Sequence, residues 1–117
     1  MDSKTLEQWN VKYGIQVLNG VNGIYVANEE EFGEFDRIPD EQVLHGHTHI
    51  CGLIKMLELM KDPSVFEFRA YYKSLWLTDL NNVHNNLTEE DYLYLLRCGI
   101  YYNHIDDCFV LDADIVQ

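Results

Sequence analysis

The amino-acid sequence predicts an α+β fold: one small domain over 1–117, with antiparallel β-hairpins packed with three to four helices. Three observations carry this expectation. Two β-branched runs flank an Asn-Gly pair near the N-terminus, apolar residues recur at three- and four-residue steps through 43–60, and an acidic helix start at 88 leads into a second hairpin pattern. At 117 residues and 47% hydrophobic, the chain is sized for a single domain with its own core.

Residues 3–9 read as a short first helix with Ser3 as its N-cap. The runs 14–18 and 23–27 are rich in Val and Ile, and Asn19-Gly20-Val21-Asn22 between them is a strong hairpin signal. Residues 28–38 form an acidic connector containing two aromatics. Pro39, followed by Asp40 and Glu41, is a sound helix start. From there to Lys61, Val43, Gly46, Ile50, Leu53, Leu57 and Met60 share one helical face. Gly46 and Gly52 each cost about 1 kcal/mol relative to Ala inside a helix, so 43–49 also reads as loop, leaving a helix at 50–61.

Residues 64–80 carry two patterns at once. Val65, Phe68, Tyr72, Leu75 and Trp76 make a helical stripe, whereas Phe66, Phe68, Ala70 and Tyr72 alternate with charged residues as in a strand. The length of the segment and the Asp62-Pro63 pair, a cap followed by a first-turn proline, favour helix. Residues 81–86 read as a polar loop. Thr88 with Glu89, Glu90 and Asp91 begins a helix, Tyr92, Leu95 and Leu96 face inward, and Gly99 ends it. A closing hairpin then pairs 100–105 with 108–111, turning at Asp106-Asp107.

Charge is the most informative functional feature. The chain has 20 acids against 8 bases, a net charge of −12. Residues 1–41 hold nine acids and three bases, 88–117 hold seven and one, and 42–87 hold four of each. Two negative lobes therefore flank a neutral middle. Such a field repels nucleic acid and anionic lipid and attracts basic surfaces. The eight bases are scattered, which argues against direct nucleic-acid binding. No run of eighteen apolar residues occurs, so neither a transmembrane helix nor a membrane role is expected. Cys51, Cys98 and Cys108 form an odd set with no CxxC pair, as for reduced thiols in a cytoplasmic protein.

The charge is densest at Glu29, Glu30, Glu31, Glu34 and Asp36, with Phe32 and Phe35 among them. Acids that steer a basic partner and aromatics that anchor it make this the expected partner-binding segment. The structural alternative is that both rings tuck beneath the loop. Glu89, Glu90 and Asp91 are accounted for by the helix start, and Asp106-Asp107 by a turn. The expectation is a non-enzymatic binding or inhibitor protein that blocks a basic partner, a nuclease or another nucleic-acid-binding protein. In size and charge it is similar in character to phage anti-defence proteins, nucleic-acid mimics and toxin-immunity proteins. No cofactor is expected, and homodimerisation is left open.

A second reading rests on Leu44-His45-Gly46-His47-Thr48-His49. An extended backbone would place His45, His47 and His49 on one face as zinc ligands, and a helix would put only His45 and His49 together. Cys51, His84, His104 or Cys108 would complete the set. Over about six residues the segment resembles the Gly-His-x-His motif of calcineurin-like metallophosphoesterases, which implies a dinuclear metal centre at His47 and His49. The family's Asp-x-His, Gly-Asp-x-x-Asp and Gly-Asn-His motifs are absent, so its activity is not carried over. Cys–His pairs can be drawn from Cys51 with His49 or Cys108 with His104, but nothing in the sequence orients them. A third reading is a small-ligand sponge with an aromatic pocket at Tyr71, Tyr72 and Trp76, whose acidity Arg69 and Lys73 would temper.

Overall fold

The computed structural model describes residues 1–15, 17, 48–66, 69–71 and 74–112. They form an α+β arrangement. Helix α1 is Ser3–Lys12, α2 is Thr48–Leu59 and α3 is Glu89–Arg97. The strands are β1, Arg69–Tyr71; β2, Ser74–Asp79; β3, Ile100–Asn103; and β4, Cys108–Asp112. They pair antiparallel in the order β1-β2-β4-β3.

Helix α1 is capped by Asp2, not Ser3. The Asp2 carboxylate accepts the Thr5 N–H at 2.8 Å, which makes Ser3 the first helical residue. The helix also runs three residues beyond the expected 3–9. Its end corrects the reading of 14–15 as the start of a strand. Gly14 takes φ 72°, its N–H donates to the Val11 carbonyl, and the Ile15 N–H donates to the Asn10 carbonyl at 2.7 Å. This pair of bonds is a Schellman stop, and only Gly accepts that φ without strain. Ile15 then folds into the core. The rest of the expected first hairpin, and the front of the long helix at 40–47, lie outside the described residues.

Helix α2 covers most of the expected 50–61, and most of the residues that separate the longer from the shorter reading lie outside the described ones. Gly52 has a structural purpose in this helix: a Cβ at this position would lie 2.5 Å from Cys98 Cβ and 3.0 Å from Ile100 Cδ1. The helix therefore packs its backbone against the end of α3, an approach that Ala would block. Lys55 ties the same two helices through Asp91 at 3.0 Å.

The helix favoured over 64–80 is not formed. The Asp62 cap is real, accepting the Ser64 N–H at 3.0 Å, but it starts only a single 3₁₀ turn at Pro63–Val65. The chain then enters β1 and β2, with Tyr71 paired to Ser74 and Arg69 to Trp76. Val65, the first residue of the supposed stripe, is half exposed. The register of β2 on β4 shifts between Trp76 and Thr78, so Leu77 is an extra residue in a bulge. A bulged strand breaks its period of two, so the apolar neighbours Leu75 and Trp76 could be read into a helical stripe.

Helix α3 is the element the sequence marks most clearly. Thr88 and Asp91 form a reciprocal capping box, and Tyr92, Leu95 and Leu96 are buried. Gly99 follows at φ 86°. In the closing hairpin Ile100 pairs with Leu111 and Asn103 with Cys108, so Ile105 belongs to the turn. Asn103 Oδ1 accepts the N–H groups of Ile105 and Asp106, and Asp107 takes φ 54°.

Strand β3 lies at one end of the sheet, and its outer side is closed by side chains from two helices. Tyr102 faces its N–H and C=O away from β4. The C=O accepts Asn10 Nδ2 at 2.9 Å, and the N–H donates to Tyr92 Oη at 2.8 Å. Tyr92 in turn donates its hydroxyl proton to Asn10 Oδ1. Asn10, Tyr92 and Tyr102 are all buried. Each lost bond in this ring leaves a buried polar group costing about 1–3 kcal/mol. Asn10→Ala strands both the Tyr92 hydroxyl and the Tyr102 carbonyl. It is expected to lower unfolding free energy by about 2–4 kcal/mol, measured by urea denaturation. A surface Asn85→Ala control should change it far less.

Candidate functional site

The expected partner-binding residues Glu29, Glu30, Glu31, Phe32, Glu34, Phe35 and Asp36 lie outside the described residues, as do His45 and His47. His49 is described, and it sits in the first turn of α2. The extended arrangement that would align all three histidines therefore fails at its last member. His49 Nε2 is buried and has no hydrogen-bond partner among the described residues.

The additional ligands considered for a metal are dispersed. Cys51 is buried on α2 and packs on Cys98. His84 is exposed, its backbone N–H donating to the Leu59 carbonyl at 2.9 Å. His104 is exposed in the β3–β4 turn, and Cys108 is buried in the main core. Among the described residues no group of three or more His, Cys, Asp or Glu side chains is placed to hold a metal ion. His49 and Cys51 are two residues apart on a helix and so point to different faces.

The described acids divide into two kinds. Several are committed to the fold: Asp2 and Asp62 cap helical turns, and Asp107 accepts the Tyr102 hydroxyl. Glu89 receives Lys12 Nζ and the Tyr13 hydroxyl, both at 2.9 Å, and Asp91 receives Lys55. The Lys12 ammonium, helped by the Tyr13 hydroxyl, holds the Glu89 carboxyl below its ordinary range. Burial pushes Asp91 up, but Lys55 and the Thr88 cap outweigh it and leave that carboxyl lowered. The side chains of Glu58, Asp79 and Glu90 stay exposed at the surface.

A groove of about 220 Å³ lies between α1 and the β3–β4 turn, lined by Glu7, Asn10, Val11, Ile15, Val17 and His104. Its lining is mostly apolar. It is smaller than the ~300 Å³ at which pockets for drug-sized ligands begin. Of the residues expected to form an aromatic pocket, Trp76 does not line it and packs on the core instead, while the side chains of Arg69, Tyr71, Tyr72 and Lys73 lie outside the described residues. The sequence signal for this region was Asn10, the polar member of the Leu6, Asn10, Tyr13 stripe on α1.

No protein-family model matches the chain, no curated protein matches it, and no solved structure matches it. No described helix is long and apolar enough to cross a membrane.

The shifted groups set a two-sided pH dependence. Glu89 and Asp91 have folded pKa values below their ordinary 4.5 and 3.8. Their contribution is present above those values and is lost as pH falls through the depressed folded ones. Burial pushes the Cys98 thiol up from 9.0 to about 12. Burial, then the hydrogen bond to Asp107, raises Tyr102 as well. Their contribution is complete below pH 9 and is lost as pH climbs through the folded values. Thermal unfolding is thus expected to peak between pH 5 and 9. Asp91→Asn should flatten the acid limb, and Cys98→Ala the alkaline limb.

Proposed function

We propose that this chain is a small acidic binding protein that blocks a basic protein surface, in the cytoplasm and without catalysis. The observation that carries the reading is the net charge of −12 and its distribution. Lys12 and Lys55 pair with Glu89 and Asp91, so the structure partly neutralises the C-terminal lobe from within. The run Glu29, Glu30, Glu31, Glu34 and Asp36 has a single neighbouring base, Arg37, and no helix-start pattern to use its carboxylates. These acids, with Phe32 and Phe35 as anchors, are assigned to the partner. The partner is a nuclease or nucleic-acid-binding protein, whose phosphate positions the carboxylates fill, in the manner of anti-defence or immunity proteins.

Affinity capture from host lysate tests this at low and high salt. A partner should be retained at low salt, weaken as exposed charges are screened beyond about 8 Å, and be displaced by duplex DNA. Reversing Glu29, Glu30, Glu31 and Glu34 to Lys is expected to weaken capture at least tenfold. Unchanged capture by the reversed chain would sink the proposal.

One observation favours a second reading. Buried polar atoms are almost always satisfied, and His49 Nε2 finds no partner among the described residues. A metal held by His49 with His45 or His47 would satisfy it and make this a metal-binding or hydrolytic protein. Elemental analysis of the purified chain should then find zinc, lost in a His47→Ala, His49→Ala variant. A metal-free chain after incubation with zinc removes this reading.

A further inference from the structure

We infer that Cys51 and Cys98 form a redox-sensitive dithiol that closes into an intramolecular disulfide across the α2–α3 interface. Neither cysteine is in a disulfide; Cys51 is buried on α2, Cys98 is buried at the C-cap of α3, and they pack together in a small cluster apart from the main core, with Tyr94 beside them. Helix axes about 8–10 Å apart, with Cα atoms about 2.3 Å from each axis, bring facing Cα atoms within the ~4.4–6.8 Å reach of a disulfide. Gly52 secures the close approach here. Because it lacks a Cβ, Cys98 sits against the α2 backbone one position from Cys51; an added Cβ would meet Cys98 Cβ at 2.5 Å and Sγ at 3.4 Å. Lys55 and Asp91, 3.0 Å apart, hold the same helices in register. Cys108 is buried in the main core and is not part of this cluster.

The oxidant is a small-molecule disulfide. One cysteine thiolate attacks a sulfur of the oxidant, forming a mixed disulfide and expelling one thiolate. The second cysteine thiolate attacks the protein sulfur of that mixed disulfide and expels the other thiolate. The chain gives up two electrons and two protons, and the oxidant becomes two thiols. Cys51 is 2% exposed and Cys98 fully buried, so exchange waits on opening of the α2–α3 contact. The pair therefore ignores brief oxidant pulses and answers sustained oxidation. Once closed, the bond staples the two helices.

The test is prolonged incubation of the full chain with oxidised glutathione, alkylation, and peptide mass mapping without reductant. The expected product is a monomer two hydrogens lighter, with one alkylated cysteine, Cys108, and a peptide pair joining Cys51 to Cys98. Its unfolding midpoint should rise and return on reduction. Three alkylated cysteines, a bond that includes Cys108, or glutathione adducts and dimers alone would each overturn the inference. The map is made on the unaltered chain, so it does not depend on any variant folding. A Cys108→Ser chain should give the same linked pair.

Discussion

The described structure depends on how the outer edge of β3 is satisfied. A strand at the end of a sheet offers alternate N–H and C=O groups to whatever lies beside it, and in a buried setting those groups must find partners. Here Asn10 from α1 and Tyr92 from α3 supply them to Tyr102, and each also bonds to the other. One ring of three hydrogen bonds thus fixes the distance between two helices and the strand they cover. The Tyr102 side chain extends the arrangement by donating to Asp107, whose carbonyl accepts the Leu80 N–H at 3.2 Å. A single residue of β3 therefore connects α1, α3, the hairpin turn and the end of β2.

Local chemistry was legible in the sequence wherever it alone decides the outcome. The Thr88 capping box, the inward Tyr92, Leu95 and Leu96, and the 100–111 hairpin all follow from short-range rules. The same rules misled where a correct local signal did not propagate. Asp62-Pro63 does start a helical turn, but β1 and β2 win the next residues because pairing with β4 buries Leu77 and packs the partly buried Leu75 and Trp76 on the core. Gly14 was read as the opening of a strand and instead closes a helix. The cue was its position right after Tyr13, at the end of the α1 stripe.

The candidate site was legible in a different way. Charge can be counted from sequence, but its use cannot. The structure shows that Glu89 and Asp91 serve Lys12, Tyr13, Lys55 and Thr88 as well as the helix dipole, a degree of internal employment that no linear pattern reveals. The opposite holds for Gly52. Its propensity cost looked like a defect in the helix, and its meaning depends on Cys98, 46 positions away in the chain. Asn10 is similar: a polar residue in an apolar stripe signals a buried partner without naming it.

The closed edge of β3 also makes the sheet directional as a building block. Among the described strands, a second copy adding a strand beside β3 would have to displace Asn10 and Tyr92 from Tyr102, which favours the β1 margin for such an addition. Two copies meeting in that way would do so about a two-fold axis and would turn their β3 margins outward. An open-ended ribbon needs two adhesive margins per molecule, and among the described strands the β3 margin is met at Tyr102 by side chains of the same molecule.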